Sequence, residues 1–170
     1  TKEVFDLFYP SYGDTYPTYN GAVGMTYEQA GIEAGLGVQT TEGDTLTLAQ
    51  RAQHHFTTSM ATIETSSANA ARLIKEFKKF FDDNIAGAGL EYKTYVLAAK
   101  DPNKLKEITK LLDANGINYG TTTSSSFRGY NYFSGKDENY VSDGFQLALT
   151  ALQPKGKMAS VLFEPFSSLS

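Results

Sequence analysis

The longest repeating pattern of apolar residues lies between residues 48 and 81. Apolar side chains recur there every three or four positions, which places them on one face of an α-helix. They are Leu48, Ala52, Phe56, Met60, Ile63, Ala70, Ile74, Phe77 and Phe81. Thr47 and Gln50 have the spacing of a capping box at the start. The pattern predicts a helix of about 35 residues, about 50 Å long at 1.5 Å per residue. We expect a bend at residues 65–67 and an end near Asp83 and Asn84.

Two shorter patterns precede this helix. Residues 22–27 form an apolar, β-leaning run that ends on an acid, Glu28, and we interpret them as a strand. Residues 36–40 predict a second short strand. The glycines of residues 31–37 lack the spacing of a dinucleotide-binding loop, so we interpret that connection as an ordinary loop.

The long helical pattern ends before the glycine-rich residues 86–89, which we interpret as a linker, and shorter elements follow. Residues 92–99 predict a strand. A helix then begins at Asp101 and Pro102, which suit the N-cap and first helical positions. Its apolar stripe is formed by Leu105, Ile108, Leu111 and Leu112. Asn115 and Gly116 supply its C-cap. A strand at residues 117–119 completes a βαβ-like unit.

The rest of the chain predicts strands at residues 130–133 and 145–151 and a short helix at residues 157–163. The whole pattern predicts an α/β fold with two parts. Residues 1–88 carry a partial sheet and the long amphipathic helix. Residues 89–170 form a small α/β unit that contains the βαβ element.

Composition narrows the classes of function. The chain has 170 residues, a formal net charge of −4 and no cysteine. The charge argues against a nucleic-acid surface, and the absence of cysteine excludes thiol catalysis, disulfides and cysteine-type zinc sites. No run of apolar residues is long enough to span a membrane. The chain begins at Thr1 without a methionine, and we interpret it as a fragment of a longer protein.

The candidate chemistry lies in the tyrosine-rich residues 9–29. Tyrosine combines a rigid apolar body with one polar tip, which suits a site that buries a ligand and hydrogen-bonds it. Glu28 ends the predicted strand, where it is either a catalytic base or an ordinary surface or salt-bridge acid. Adjacent helical residues point about 100° apart, so His54 and His55 do not form a shared metal site.

The residues from Asp14 to Glu28, read DTYPTYNGAVGMTYE, are followed by a loop and the long amphipathic helix. This arrangement resembles the C-terminal part of the zinc carboxypeptidases, in the bacterial branch whose strand reads MTYEQ. The resemblance covers about residues 4–84. Residues 89–170 more weakly resemble the small α/β unit that follows the peptidase domain in multi-domain bacterial members, an accessory module.

The resemblance implies that Glu28 is the general base, which takes a proton from a zinc-bound water and passes it to the leaving amine. It also implies that Tyr9, Tyr12, Asp14 and Tyr16 line the site for a peptide substrate, and that the protein is secreted or periplasmic. The family's zinc ligands, a His-x-x-Glu pair and a later His, lie upstream, and this chain has no such pair. We therefore expect zinc in the intact enzyme and no hydrolysis by this chain alone.

An alternative from a different class is a non-catalytic peptide- or glycan-binding module built on the tyrosine-rich stretch. In either case the apolar helix face needs a covering partner. The second half of the chain, a second copy or the missing N-terminal segment could each cover it. We expect the isolated chain to self-associate.

Overall fold

The computed structural model describes residues 10–28, 35–122, 126–142 and 144–166. Within these residues the chain is a mixed α/β protein with five helices and three antiparallel sheets. The helices are α1 (Thr15–Thr18), α2 (Leu48–Ala68), α3 (Ala70–Ala86), α4 (Pro102–Ala114) and α5 (Gly156–Leu162). The strands are β1 (Gly37–Gln39), β2 (Thr45–Thr47), β3 (Thr94–Ala99), β4 (Gly120–Thr121), β5 (Ser126–Asn131), β6 (Lys136–Val141) and β7 (Phe145–Thr150).

The long helical pattern is confirmed, but as two helices. α2 begins at the predicted capping box, where the Gln50 amide donates to Thr47 Oγ1 at 3.2 Å and the Thr47 amide donates to Gln50 Oε1 at 2.8 Å. The break lies at Asn69, with φ −108° and ψ 16°, and the predicted bend at residues 65–67 is wrong. Asn69 Nδ2 donates to the Thr65 carbonyl at 2.8 Å, and asparagine side chains compete with backbone pairing in this way.

The strand predicted at residues 22–27 is wrong, because these residues have no regular structure. A strand needs a neighbour to complete its hydrogen-bond ladder, and in the described chain no strand pairs with this segment. The only sheet among the described residues before α2 is the antiparallel ribbon of β1 and β2, which pairs Val38 with Leu46.

The second part contains a three-stranded sheet in the order β3-β7-β4. β3 and β4 are each antiparallel to β7, so they are parallel to one another, and α4 connects them. The βαβ element is therefore present with β7 between its two strands. α4 begins as predicted, because the Asp101 side chain accepts from the Asn103 amide at 2.9 Å.

The strand predicted at residues 117–119 begins later, at Gly120. The buried Gln153 side chain pairs with the backbone of Asn118 on both sides. Its Oε1 accepts from the Asn118 amide at 2.7 Å, and its Nε2 donates to the Asn118 carbonyl at 3.0 Å. These bonds replace the strand pairing that residues 117–119 lack.

The apolar core of the described chain lies in the second part. Its buried members are Tyr95, Leu112, Ile117, Leu147, Leu149, Ala151, Met158 and Ala159. Tyr19 reaches this core from the first part. The buried Asn84 of α3 also joins the two parts, since its Nδ2 donates to the Pro154 carbonyl at 2.9 Å. Lys155 Nζ donates to Asn20 Oδ1.

The hairpin of β5 and β6 packs its aromatic side chains near the end of α5. The Tyr130 ring lies 6.0 Å from the Tyr92 ring and 5.8 Å from the Phe166 ring, measured between centroids. Tyr132 donates its hydroxyl to the Phe163 carbonyl. Tyr132 is 50% exposed, and its partial desolvation in this cluster raises its pKa to about 12.

α2 differs from the other helices because none of its residues is buried. Phe56 is 63% exposed and Ile63 is 62% exposed, and the same face continues on α3 with Ile74, which is 70% exposed. In the part of the chain that the structure describes, no helix is long and apolar enough to cross a membrane.

Candidate functional site

The tyrosine-rich stretch folds back on itself through α1 and the turn that follows. Asn20 Nδ2 donates to the Tyr16 carbonyl at 2.8 Å, and the Ala22 amide donates to the Pro17 carbonyl at 3.0 Å. Gly21 has a φ of +88°, a conformation that glycine adopts without steric cost. This reversal brings residues 22–28 back alongside Asp14.

Asp14 and Thr26 meet where the two arms of the stretch lie side by side. Thr26 Oγ1 donates to Asp14 Oδ2 at 2.5 Å, and Thr15 Oγ1 donates to Asp14 Oδ1 at 3.2 Å. At Gly24 the arms approach so closely that a Cβ would lie 2.1 Å from the Asp14 carbonyl oxygen. Only glycine fits there, so the residue type at position 24 permits the contact.

The Asp14 carboxylate is held in its ionised form. The hydrogen bond from Thr26 is the largest cause that lowers the pKa of Asp14, and partial burial opposes it. A carboxylate that accepts hydrogen bonds is stabilised in its charged state. Asp14 is therefore an acceptor at neutral pH rather than a proton donor.

Glu28 lies two residues beyond Thr26, with its side chain exposed. On the other side of the segment, the Tyr27 hydroxyl is 3.0 Å from Thr62 Oγ1 on α2. Among the hydrogen bonds and ion pairs of the described residues, none involves the Glu28 carboxylate. An exposed carboxylate in this position is accessible to water and to a substrate.

The structure places the other predicted site residues as follows. Tyr12 and Tyr16 lie beside Asp14, 48% and 39% exposed, and the Tyr16 amide donates to the Tyr12 carbonyl at 2.9 Å. Tyr9 lies outside the described residues. The hydrogen bonds of Asp14 link it to Thr15 and Thr26, and none of them includes Glu28.

An open cleft of about 470 Å³ lies between the returning arm and α3. Its lining is almost entirely apolar, with Phe77 and Phe80 on α3 facing Val23 on the arm. The complete lining is Thr18, Gly21, Ala22, Val23, Leu73, Ile74, Glu76, Phe77 and Phe80. Such a surface suits an apolar side chain or an extended peptide.

Sequence reasoning missed Thr26, Gly24 and the cleft. The signal for Thr26 was its position two residues before Glu28 and two residues after Gly24. The signal for the cleft was the crowding of Phe77, Phe80 and Phe81 near the end of the helical pattern.

The donor set does not fit a zinc centre. Across the described residues, no three histidine, cysteine, aspartate or glutamate side chains come close enough together to hold a metal ion. His54 and His55 are neighbours on exposed turns of α2, as expected for surface histidines. We therefore derive no chemical step through a metal from these residues.

Comparison with known proteins found no match of any kind. No protein family, no curated protein and no solved structure matches this chain. A proposal about function therefore depends on the residues described above.

Proposed function

We propose that the chain is the C-terminal portion of a zinc-dependent carboxypeptidase-like peptidase, and that Glu28 is its general base. One observation carries the proposal most directly. The hydrogen bond between Thr26 and Asp14 fixes the returning arm immediately before Glu28 and leaves the Glu28 carboxylate exposed. The sequence resemblance of residues 14–28 supports the same assignment, although the strand that belongs to the family pattern is absent at residues 22–27.

Glu28 has the chemistry that the reaction requires of the protein. A carboxylate in reach of a water molecule accepts its proton as the water attacks the peptide carbonyl, and then returns that proton to the leaving amine. The exposed Glu28 side chain has no competing partner among the described residues. Zinc ligands are expected upstream by resemblance.

The substrate would be a peptide. Tyr12 and Tyr16, together with Tyr9, are the residues proposed to line its site. The apolar cleft beside the returning arm extends this surface along α3 and could accept a side chain of the peptide.

The experiment is Glu28→Gln in the protein extended upstream of Thr1. We expect peptide hydrolysis to fall by about 10²–10⁴-fold, because the base is lost and little else changes. Bound zinc, measured by atomic absorption, should be retained. Glu64→Gln on the exposed face of α2 is the matched control and should leave the rate unchanged. Turnover retained by the Glu28→Gln variant contradicts the assignment.

A non-catalytic peptide- or glycan-binding module is the second proposal, and the apolar cleft favours it. The upstream coding sequence separates the two functions. A His-x-x-Glu pair followed by a later His supports the peptidase, whereas their absence favours the binding module. In the second case the isolated chain should bind peptide or glycan, and Val23→Asp in the cleft should abolish that binding.

A further inference from the structure

We propose that Asp14 is a positioning residue for Glu28 and that it acts through Thr26 rather than on the substrate. This inference rests on the proposed function of Glu28 as general base. It differs from the expectation that Asp14 lines the substrate site.

The need for such a residue follows from the missing strand. Residues 22–28 have no ladder of backbone hydrogen bonds in the described chain, so side-chain contacts must define where this segment lies. General-base catalysis depends on holding the carboxylate close to its target, and a displacement of about 1 Å can cost about 10²-fold in rate.

Asp14 supplies the first contact. Both of its carboxylate oxygens are engaged within the chain, Oδ2 by Thr26 and Oδ1 by Thr15. Its carbonyl oxygen also lies against Gly24, where no side chain would fit. Asp14 therefore holds the segment at Thr26, two residues before Glu28, and lies closely against it at Gly24.

The second contact lies on the opposite side of the segment. The Tyr27 hydroxyl meets Thr62 Oγ1 at 3.0 Å, and Thr62 Oγ1 donates to the Thr58 carbonyl at 2.8 Å. Either hydroxyl can be the donor in this pair, since the Tyr27 hydroxyl also lies 3.4 Å from Met25 Sδ. Glu28 thus follows two successive residues that are each held by a side-chain hydrogen bond.

The first test compares Thr26→Val with Thr26→Ser in the protein extended upstream of Thr1. Valine has nearly the same shape but cannot donate a hydrogen bond, whereas serine retains the hydroxyl. We expect Thr26→Val to lower kcat about 10- to 100-fold with KM unchanged, and Thr26→Ser to restore most of the rate. If Thr26→Val leaves kcat unchanged while Asp14→Asn raises KM, Asp14 binds substrate and the proposal is overturned.

The second test uses the isolated chain and needs no activity. The Asp14 carboxyl carbon is followed by NMR as pH is lowered. We expect the Asp14 pKa to lie below the usual range of an aspartate in the wild type and in Thr26→Ser, and to return toward that range in Thr26→Val. An ordinary pKa in the wild type overturns the proposal by itself.

The two tests separate the possible failures. If NMR shows the hydrogen bond between Thr26 and Asp14 but the extended protein has no peptidase activity, the proposed function fails, and the positioning role fails with it. If the extended protein hydrolyses peptides and NMR finds no such bond, only the positioning role fails.

Discussion

The two parts of this chain differ in how far they bury their apolar residues. Among the described residues, every fully buried apolar side chain lies between Tyr95 and Ala159, in the second part. The first part presents a helical stripe of comparable apolar character and buries none of it. The contrast teaches that periodicity identifies which face of an element is apolar, but not what covers that face.

The largest expected effect on the free energy of unfolding comes from removing apolar side-chain atoms in the second part. The comparison is an equivalent removal in the first part. Leu149→Ala removes a side chain that is 2% exposed and should lower the free energy of unfolding by about 2–5 kcal/mol. Ile74→Ala on α3, where the side chain is 70% exposed, should change it by less than about 0.5 kcal/mol. Urea unfolding measures both. Similar costs at the two positions would show that the α3 face is covered in solution, which would break the comparison.

The next effect concerns the contact between the parts. Asn84→Ala leaves the Pro154 carbonyl without its donor and should lower the free energy of unfolding by about 1–3 kcal/mol. Asn103→Ala, at an exposed position on α4, is the matched control and should have little effect. An equal effect of the two substitutions would mean that the bond from Asn84 does not join the parts in solution.

The smallest effect on stability is expected for Ile63→Lys on the exposed stripe. The unfolding free energy should stay within about 0.5 kcal/mol of the wild type. Its effect on association should be large, because a charge on an apolar interface opposes burial. Light scattering over a range of concentrations measures this, with Thr57→Lys on the same helix as control. A wild-type chain that stays monomeric contradicts the expected self-association.

Local signals predicted where α2 and α4 begin, but they did not predict α1. The capping box at Thr47 and the Asp101 N-cap each place a helix start correctly, since the side chain that satisfies the first amides is encoded within three residues. The predicted break between α2 and α3 is misplaced because the threonine and two serines of residues 65–67 stay helical, and Asn69 leaves the helix.

Contacts between distant residues could not be predicted in the same way. Residues 22–27 have the composition of a strand, but a strand also needs a partner, and composition does not reveal one. The pairing of Gln153 with Asn118 spans 35 residues and shifted the start of β4. The bond between Asp14 and Thr26 depends on the reversal at residues 15–21, which brings together residues that the sequence separates.

The break at Asn69 makes α2 a helix separate from α3. α3 is fastened at its far end through Asn84, whereas α2 extends from the break over 21 residues. Thr62 lies seven residues from the break, so a rotation of about 10° there would move it by roughly 2 Å at 1.5 Å per residue. That displacement exceeds what the hydrogen bond from Tyr27 tolerates. A change in the angle of α2 would therefore displace the residue next to Glu28, and the backbone bonds across Asn69, from its amide to the Thr65 carbonyl at 3.0 Å and from the Leu73 amide to its carbonyl at 2.9 Å, oppose such a change.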